Sequence, residues 1–252
     1  MSRNGAVELV LPGGQVHLER GDNRRALLCF TGVLELTPAH APALDGLSYL
    51  FKNTGLWSES LSMQERAAAL DARYAHSIRR LSCLIYQDRF AEAREAAAAL
   101  VARRPKLAHY NYWAGITEYY AGDVVAAREW IERGYALDPE DRIGQGVLAF
   151  ILAVQGEPGR ARELLRSAEA GASADGTFTY WIAKVYASLG EPGPAVEWIA
   201  RAEGLGYWNA PWIATDRAIR VLHGFPPFQE RLESVARRQA DFARLVSAHG
   251  LP

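Results

Sequence analysis

The chain has 252 residues, 49% of them hydrophobic and 23% charged, with a formal net charge of −1. It can bury a continuous core, and no low-complexity stretch divides it, so one elongated domain is expected over residues 1–252. Near-neutral charge argues against a general nucleic-acid binder, because neutralising phosphates needs a concentrated basic face. The arginine pairs Arg24–Arg25, Arg79–Arg80, Arg103–Arg104 and Arg237–Arg238 lie near acids such as Glu19, Asp88, Glu92 and Glu230, and read as solvated helix faces. Cys29 and Cys83 have neither disulfide nor metal spacing and fall in apolar helical patterns, as buried free thiols do. No stretch is apolar and long enough for a signal peptide or a membrane span, so a cytoplasmic location and no membrane partner are expected.

Residues 1–40 read as an N-terminal cap and a partial repeat. Gly21, Asp22, Ala26, Phe30, Val33 and Pro38 form the back half of a unit. Pro12, Gly13 and Gly14 interrupt the front half, where a short helix or irregular cap is expected. Residues 41–73 form a divergent repeat, with Leu47, Phe51 and Gly55 in register but Ser60 where later units have alanine. Residues 74–209 hold four repeats, starting at Tyr74, Ala108, Arg142 and Gly176. Gly122, Gly156 and Gly190 are evenly spaced, and Ala127, Ala161 and Ala195 keep the same interval. Each unit reads as helix, tight turn, helix, clearest in Tyr110 to Ala121 followed by Val124 to Leu137. Glycine supplies the left-handed turn. Asp123, Glu157 and Glu191 then place a carboxylate at the next helix's N-terminus, and Pro158 and Pro192 fall in its first turn. Pro38, Pro105 and Pro139 close units.

A second period, twice the first, repeats Tyr112–Trp113 as Tyr180–Trp181, and Glu129–Trp130–Ile131 as Glu197–Trp198–Ile199, consistent with duplication of a repeat pair. Residues 210–252 form a capping region. Its last helix is expected from Gln229 to about Ala248, with Leu232, Val235, Ala236, Phe242 and Leu245 on an apolar stripe. Glu230, Arg237, Arg238, Asp241 and Arg244 keep its other face wet.

The pattern resembles the tetratricopeptide repeat, a helix pair of about 34 residues with small residues at fixed positions, which is the interval kept by the glycines and alanines above. The unit from Ala108 matches through Gly115, Ala127, Ile131, Gly134 and Pro139. Later units match through Ala149, Ala161, Leu165 and Ala168, and through Ala183, Ala195, Ile199 and Ala202. The unit from Tyr74 contributes Ala93 and Pro105, with Phe90 packing in the turn. The family's tryptophan at the fourth position is mostly missing; Trp113 and Trp181 stand at the sixth. The stretch from Asp216 through Phe228 and Leu232 looks like the closing segment of many bacterial tetratricopeptide proteins. The resemblance implies an all-α, right-handed α-solenoid of antiparallel helix pairs with a C-terminal capping helix.

Phosphate loops, nucleophile elbows and histidine pairs at metal-binding helical spacing are missing from the sequence. Asp138, Glu140 and Asp141 straddle Pro139 at a repeat boundary and read as helix-start acids, and the six histidines are dispersed. No catalytic residue, cofactor or metal is expected. The resemblance instead puts function on the first helix of each pair. That transfer nominates Ile78, Ser82 and Tyr86; then His109, Tyr112, Ile116, Tyr119 and Tyr120; then Phe150, Tyr180 and Lys184. Lys184 is the only basic residue among them, which does not support a chaperone-type carboxylate clamp. Trp130 and Trp198, on second helices, read as inter-repeat packing.

These features read as a non-catalytic protein-interaction scaffold or adaptor holding a peptide segment of a partner in an aromatic concave groove. A self-associating assembly factor is an alternative, as is a small-molecule sensor or an enzyme built on stacked helices. Each tyrosine can serve either packing or ligand contact. Alanine at both Tyr112 and Tyr120 is expected to weaken partner capture and leave helicity intact.

Overall fold

Left-handed glycines and carboxylate caps cut the chain into short antiparallel helices. The computed structural model describes residues 3–170 and 175–250, with side chains from residue 10 onward, and contains no strand among the described residues. Helices α1 (Arg3–Glu19), α2 (Asn23–Leu36), α3 (Ala41–Asn53) and α4 (Trp57–Leu70) make two hairpins. Helices α5 (Ile78–Tyr86) and α6 (Phe90–Arg103) follow in the chain, then α7 (Ala108–Ala121) with α8 (Val124–Leu137). Then come α9 (Arg142–Val154) with α10 (Pro158–Glu169), and α11 (Gly176–Ser188) with α12 (Pro192–Gly204). The chain ends with α13 (Ala210–Thr215), a 3-10 helix (Arg217–Leu222) and α14 (Pro226–Ala248).

These elements group into two compact units, both discontinuous in sequence. The first is Met1–Cys83, Glu203–Ala214 and Leu232–Pro252; the second is Leu84–Ala202 and Thr215–Arg231.

In the first unit, α1 runs unbroken through Pro12, Gly13 and Gly14, where the sequence predicts a short helix or irregular cap. Packing explains the difference. A Cβ on Gly14 would lie 2.7 Å from the Phe30 ring, and one on Gly46 of α3 2.6 Å from the same ring, so the glycines admit a fully buried aromatic. Phe30, Leu27, Leu44, Leu47, Leu50 and Phe51 are this unit's core. The segment after α12 lies against its turns. Gly21 has φ +70°, and a Cβ there would come 2.6 Å from the Gly204 carbonyl oxygen. The Asn23 side-chain amide donates to the Gly206 carbonyl at 2.8 Å, and Trp57 Nε1 donates to Asn209 Oδ1 at 3.1 Å. Asn209 in turn donates to the Lys52 carbonyl at 3.2 Å. The apolar stripe of α14 passes through Val235, Phe242 and Val246, whereas Ala236, expected on that stripe, is exposed. Cys83 is buried, donates to Ser60 Oγ at 3.4 Å and has its thiol pKa pushed up to about 11 by burial. Cys29 is free and half-buried.

In the second unit, the small residues expected at repeat contacts sit where their spacing implies. A Cβ on Gly115 would fall 2.6 Å from Ile131 and 2.7 Å from the Ala127 carbonyl, so glycine lets α7 and α8 touch backbone to side chain. Asp123, Asp141 and Asp175 cap α8, α9 and α11, accepting from Ala126 N, Ile143 N and Phe178 N at 2.9, 3.0 and 2.8 Å. Glu157 and Glu191 leave their helix ends for arginines of the preceding repeat: Arg128–Glu157 at 2.5 Å and Arg162–Glu191 at 2.6 Å. Arg94, at the same place in its own repeat, pairs instead with Glu118 on α7 at 2.7 Å. Arg94, Arg128 and Arg162 stand one repeat apart, forming a surface ladder whose rungs contribute less than about 1 kcal/mol each. At the fourth position, where the repeat usually has tryptophan, Asn111 and Gln145 bind back to the linker carbonyls of Pro105 and Pro139 at 3.2 and 2.8 Å.

One turn lacks its glycine. Asp88 stands one repeat before Gly122 and adopts φ +56°, against +100° at Gly122. Left-handed backbone strains a residue with a Cβ. Asp88→Gly is therefore expected to stabilise the chain by about 0.5–1 kcal/mol, read as a raised urea midpoint; an unchanged midpoint would mean that the aspartate relieves its own strain.

Candidate functional site

The first helices of the second unit bring aromatic rings and one lysine onto a single face, as the repeat spacing requires. On this face Tyr119 of α7 meets Phe150 of α9 edge-to-face at 4.8 Å, and Phe150 meets Trp181 of α11 at 5.3 Å. Tyr119 and Tyr120 are also edge-to-face, at 4.9 Å. Edge-to-face pairs of this kind set electropositive ring edges against electronegative ring faces.

A closed polar cluster sits among these rings, centred on Asp216, which is fully buried. Its Oδ1 accepts from the Tyr120 hydroxyl at 2.9 Å and from the Ala218 backbone N–H at 2.9 Å. Its Oδ2 accepts from the Tyr180 hydroxyl at 3.0 Å and lies 2.9 Å from Lys184 Nζ. Lys184 also donates to the Tyr120 hydroxyl at 2.8 Å, and its ammonium lies 4.0 Å from the centroid of Trp181 and 4.7 Å from that of Tyr180. Each carboxylate oxygen thus has two partners, and the ammonium has an anion, a hydroxyl and ring faces. The Ala218 bond caps the 3-10 helix from within the same cluster.

Burial lowers the pKa of the Lys184 ammonium, while the Asp216 charge pushes it up. Burial, followed by the charge of Asp216, raises Tyr120 and Tyr180 well above the ordinary phenol value. Tyr119 is raised by burial, opposed by the Arg217 guanidinium, which lies 4.3 Å from the centroid of its ring.

These shifts make stability depend on alkaline pH. The folded pKa of each tyrosine is raised, so their contribution is complete below about pH 10. It is lost above that, as the unfolded tyrosines ionise first. Lys184 acts with the opposite sign, its cost easing as the pH rises toward 10.5. Thermal midpoints are expected to fall above about pH 10 and to fall less steeply in a Tyr180→Phe variant; parallel curves for the two proteins would remove Tyr180 from the effect.

The nominated residues fall into three groups. Tyr119, Tyr120, Phe150, Tyr180 and Lys184 come together around Asp216 and Arg217. Tyr86 lies close enough to Tyr180 to raise its pKa. Tyr112 is 1% exposed and fits a slot between its own repeat and the next: a Cβ on Gly134 would come 2.6 Å from the ring, and one on Gly144 of α9 would overlap its hydroxyl. Ile116 is buried on the same helix. His109 accepts from Trp113 Nε1 at 3.3 Å, and burial lowers its pKa against the opposing pull of Asp141 and Asp175. Ile78 and Ser82 belong to the first unit, where the Ser82 hydroxyl bonds back to the Ile78 carbonyl at 2.8 Å. Asp216 and Arg217, absent from the nominated set, complete the cluster.

Among the described residues no group of three histidines, cysteines or acids is placed to hold a metal ion, and no helix is long and apolar enough to cross a membrane. The sequence profile of the tetratricopeptide repeat matches residues 84–142 and 149–206. No curated protein matches the chain in sequence. Solved structures do resemble it. PilF of Pseudomonas aeruginosa superposes with a TM-score of 0.54 at 17% identity, over 90% of this chain and 97% of that one. The Cut9–Hcn1 hetero-tetramer of the APC/C gives 0.60 at 12% identity, over 90% of this chain and 47% of that one. A tetratricopeptide repeat protein from Parabacteroides merdae gives 0.47 at 13% identity, over 92% and 99% of the two chains. Residues 84–142 and 149–206 are thus tetratricopeptide repeats, and the chain shares its fold with PilF.

Proposed function

We propose that the chain is a non-catalytic protein-interaction scaffold that takes a short segment of a partner protein on the first-helix face of its second unit. Repeats of this family support protein–protein interaction in general and are typically not catalytic. The observation that carries the finer reading is the occupancy of that face. Side chains of α7 and α11 already hold a short segment, 215–222, that is not itself a repeat helix pair, with Phe150 of α9 packed between their rings. Aromatic rings with hydroxyl tips suit such a role, since they offer contact area and hydrogen bonds at little cost in side-chain entropy.

Photo-crosslinking tests the reading. A photoreactive residue replaces Ile143 or Thr177, both half-buried in the first turns of α9 and α11, and in a control replaces Val125, 68% exposed on a second helix. The scaffold reading expects a discrete protein adduct from Ile143 or Thr177 that is absent from Val125. Adducts from Val125 alone, or from no position, would overturn it.

A further inference from the structure

We propose that Thr215–Arg231 is an intramolecular ligand, and that Tyr120, Tyr180 and Lys184 form a recognition site for an aspartate heading a short apolar segment of a partner, a site that Asp216 fills in cis. This rests on the scaffold reading and names the chemistry of its ligand.

Three observations carry it. First, the donors to the Asp216 carboxylate come from two different repeats, α7 and α11, with Phe150 of the intervening repeat packed between their rings. Two first helices therefore combine on one carboxylate, with a ring of a third between them, as they would on a bound segment. Second, a buried ion pair gains little over well-packed apolar residues of the same volume. Closing the face needs no charge, whereas selecting what lies on it does. Third, the segment is built to be held rather than to hold. It contains a six-residue 3-10 helix with non-helical geometry at Ile219, an element of weak hydrogen-bond geometry. It buries Ala218, Ile219, Leu222 and Phe228 on one side and leaves Arg220, Val221 and His223 exposed on the other. Arg217 adds a guanidinium over the Tyr119 ring.

A partner segment with the same chemistry has an aspartate as its N-cap, a basic residue directly after it, and apolar residues two, three and six positions further on. It competes with a tethered ligand at high effective concentration, so its apparent affinity falls with the fraction of chains in which the face is covered.

Two measurements on the full-length chain test this. In native-state hydrogen exchange of the wild type, the amides of Ala218, Ile219 and His223 are expected to exchange at least about tenfold faster than helical amides of α7 and α11, because the segment opens while the helices beneath it stay folded. Equal protection would make the segment an integral part of the fold and overturn the proposal. In the second, a synthetic peptide with the sequence of residues 213–228 is titrated into wild type and into Asp216→Asn. It is expected to bind the variant at least about tenfold more tightly, and the same peptide with asparagine in place of its aspartate is expected to lose that gain. Binding that ignores the carboxylate would also overturn the proposal. The exchange arm uses only wild-type protein, so it stands if the variant fails to fold. Both arms need only this chain and its own sequence: an opening segment without crosslinks from Ile143 or Thr177 removes the scaffold reading alone, and crosslinks with a fully protected segment remove the cis ligand alone.

Discussion

Replacing Lys184 by alanine is expected to lower the unfolding free energy by about 3–5 kcal/mol, because it strands a fully buried carboxylate. Lys184 and Asp216 have side chains 3% and 0% exposed and lie 2.9 Å apart, so water cannot take the place of the ammonium. The Tyr120 and Tyr180 hydroxyls remain as donors, but they do not neutralise the charge. Removing both partners is a different case. Lys184→Met with Asp216→Leu restores apolar packing and is expected to recover most of the loss. Urea unfolding followed by circular dichroism checks both, with the double variant measured beside the single ones. A Lys184→Ala loss below about 1 kcal/mol would mean that the pair is solvated in solution.

Tyr112→Ala is expected to cost about 3–5 kcal/mol, the range for removing a large buried aromatic. Its ring fills a slot made by Gly134 and Gly144, and neither glycine has a side chain that can move into the space. Tyr112→Phe keeps the ring and gives up a long 3.5 Å contact to the Asp138 carbonyl, so it is expected to cost less than about 1 kcal/mol. Thermal melts of the two variants give the comparison. Tyr120 is 5% exposed and bound to Asp216, so a Tyr112, Tyr120 double-alanine chain is expected to lose helicity before it can report on partner capture. Similar melts for the alanine and phenylalanine variants would show that the slot collapses around the missing ring.

The repeat architecture is legible in the sequence because it is local and periodic. The apolar pattern from Val124 to Leu137 has the bounds that α8 takes, and Ala127, Ala161 and Ala195 are fully buried as their spacing requires. The first helix of the unit from Tyr74 starts later, at Ile78, after a 3-10 turn over Ala72–Tyr74. What escapes a reading by period is any partner the period does not carry. Gly14 looks like a helix breaker until Phe30 is placed against it. Lys184 is a lone cation on an apolar helix face, and burial there demands a counter-charge. Asp216 lies on a later element, beyond an aromatic, proline-bearing stretch, and joining the two needs the return path of the chain. Arg94, Arg128 and Arg162, by contrast, are readable from the repeat period alone.

The first unit is finished by residues that are synthesised long after its hairpins. The stretch Leu84–Ala202 of the second unit leaves the ribosome before Asn209 can reach Lys52 and Phe242 can meet Trp208. At about 5–20 residues per second this is a wait of roughly 6–24 s. The two N-terminal hairpins therefore spend that time with the turns at Gly21 and Gly55 uncovered, and the order of translation sets when the unit can close.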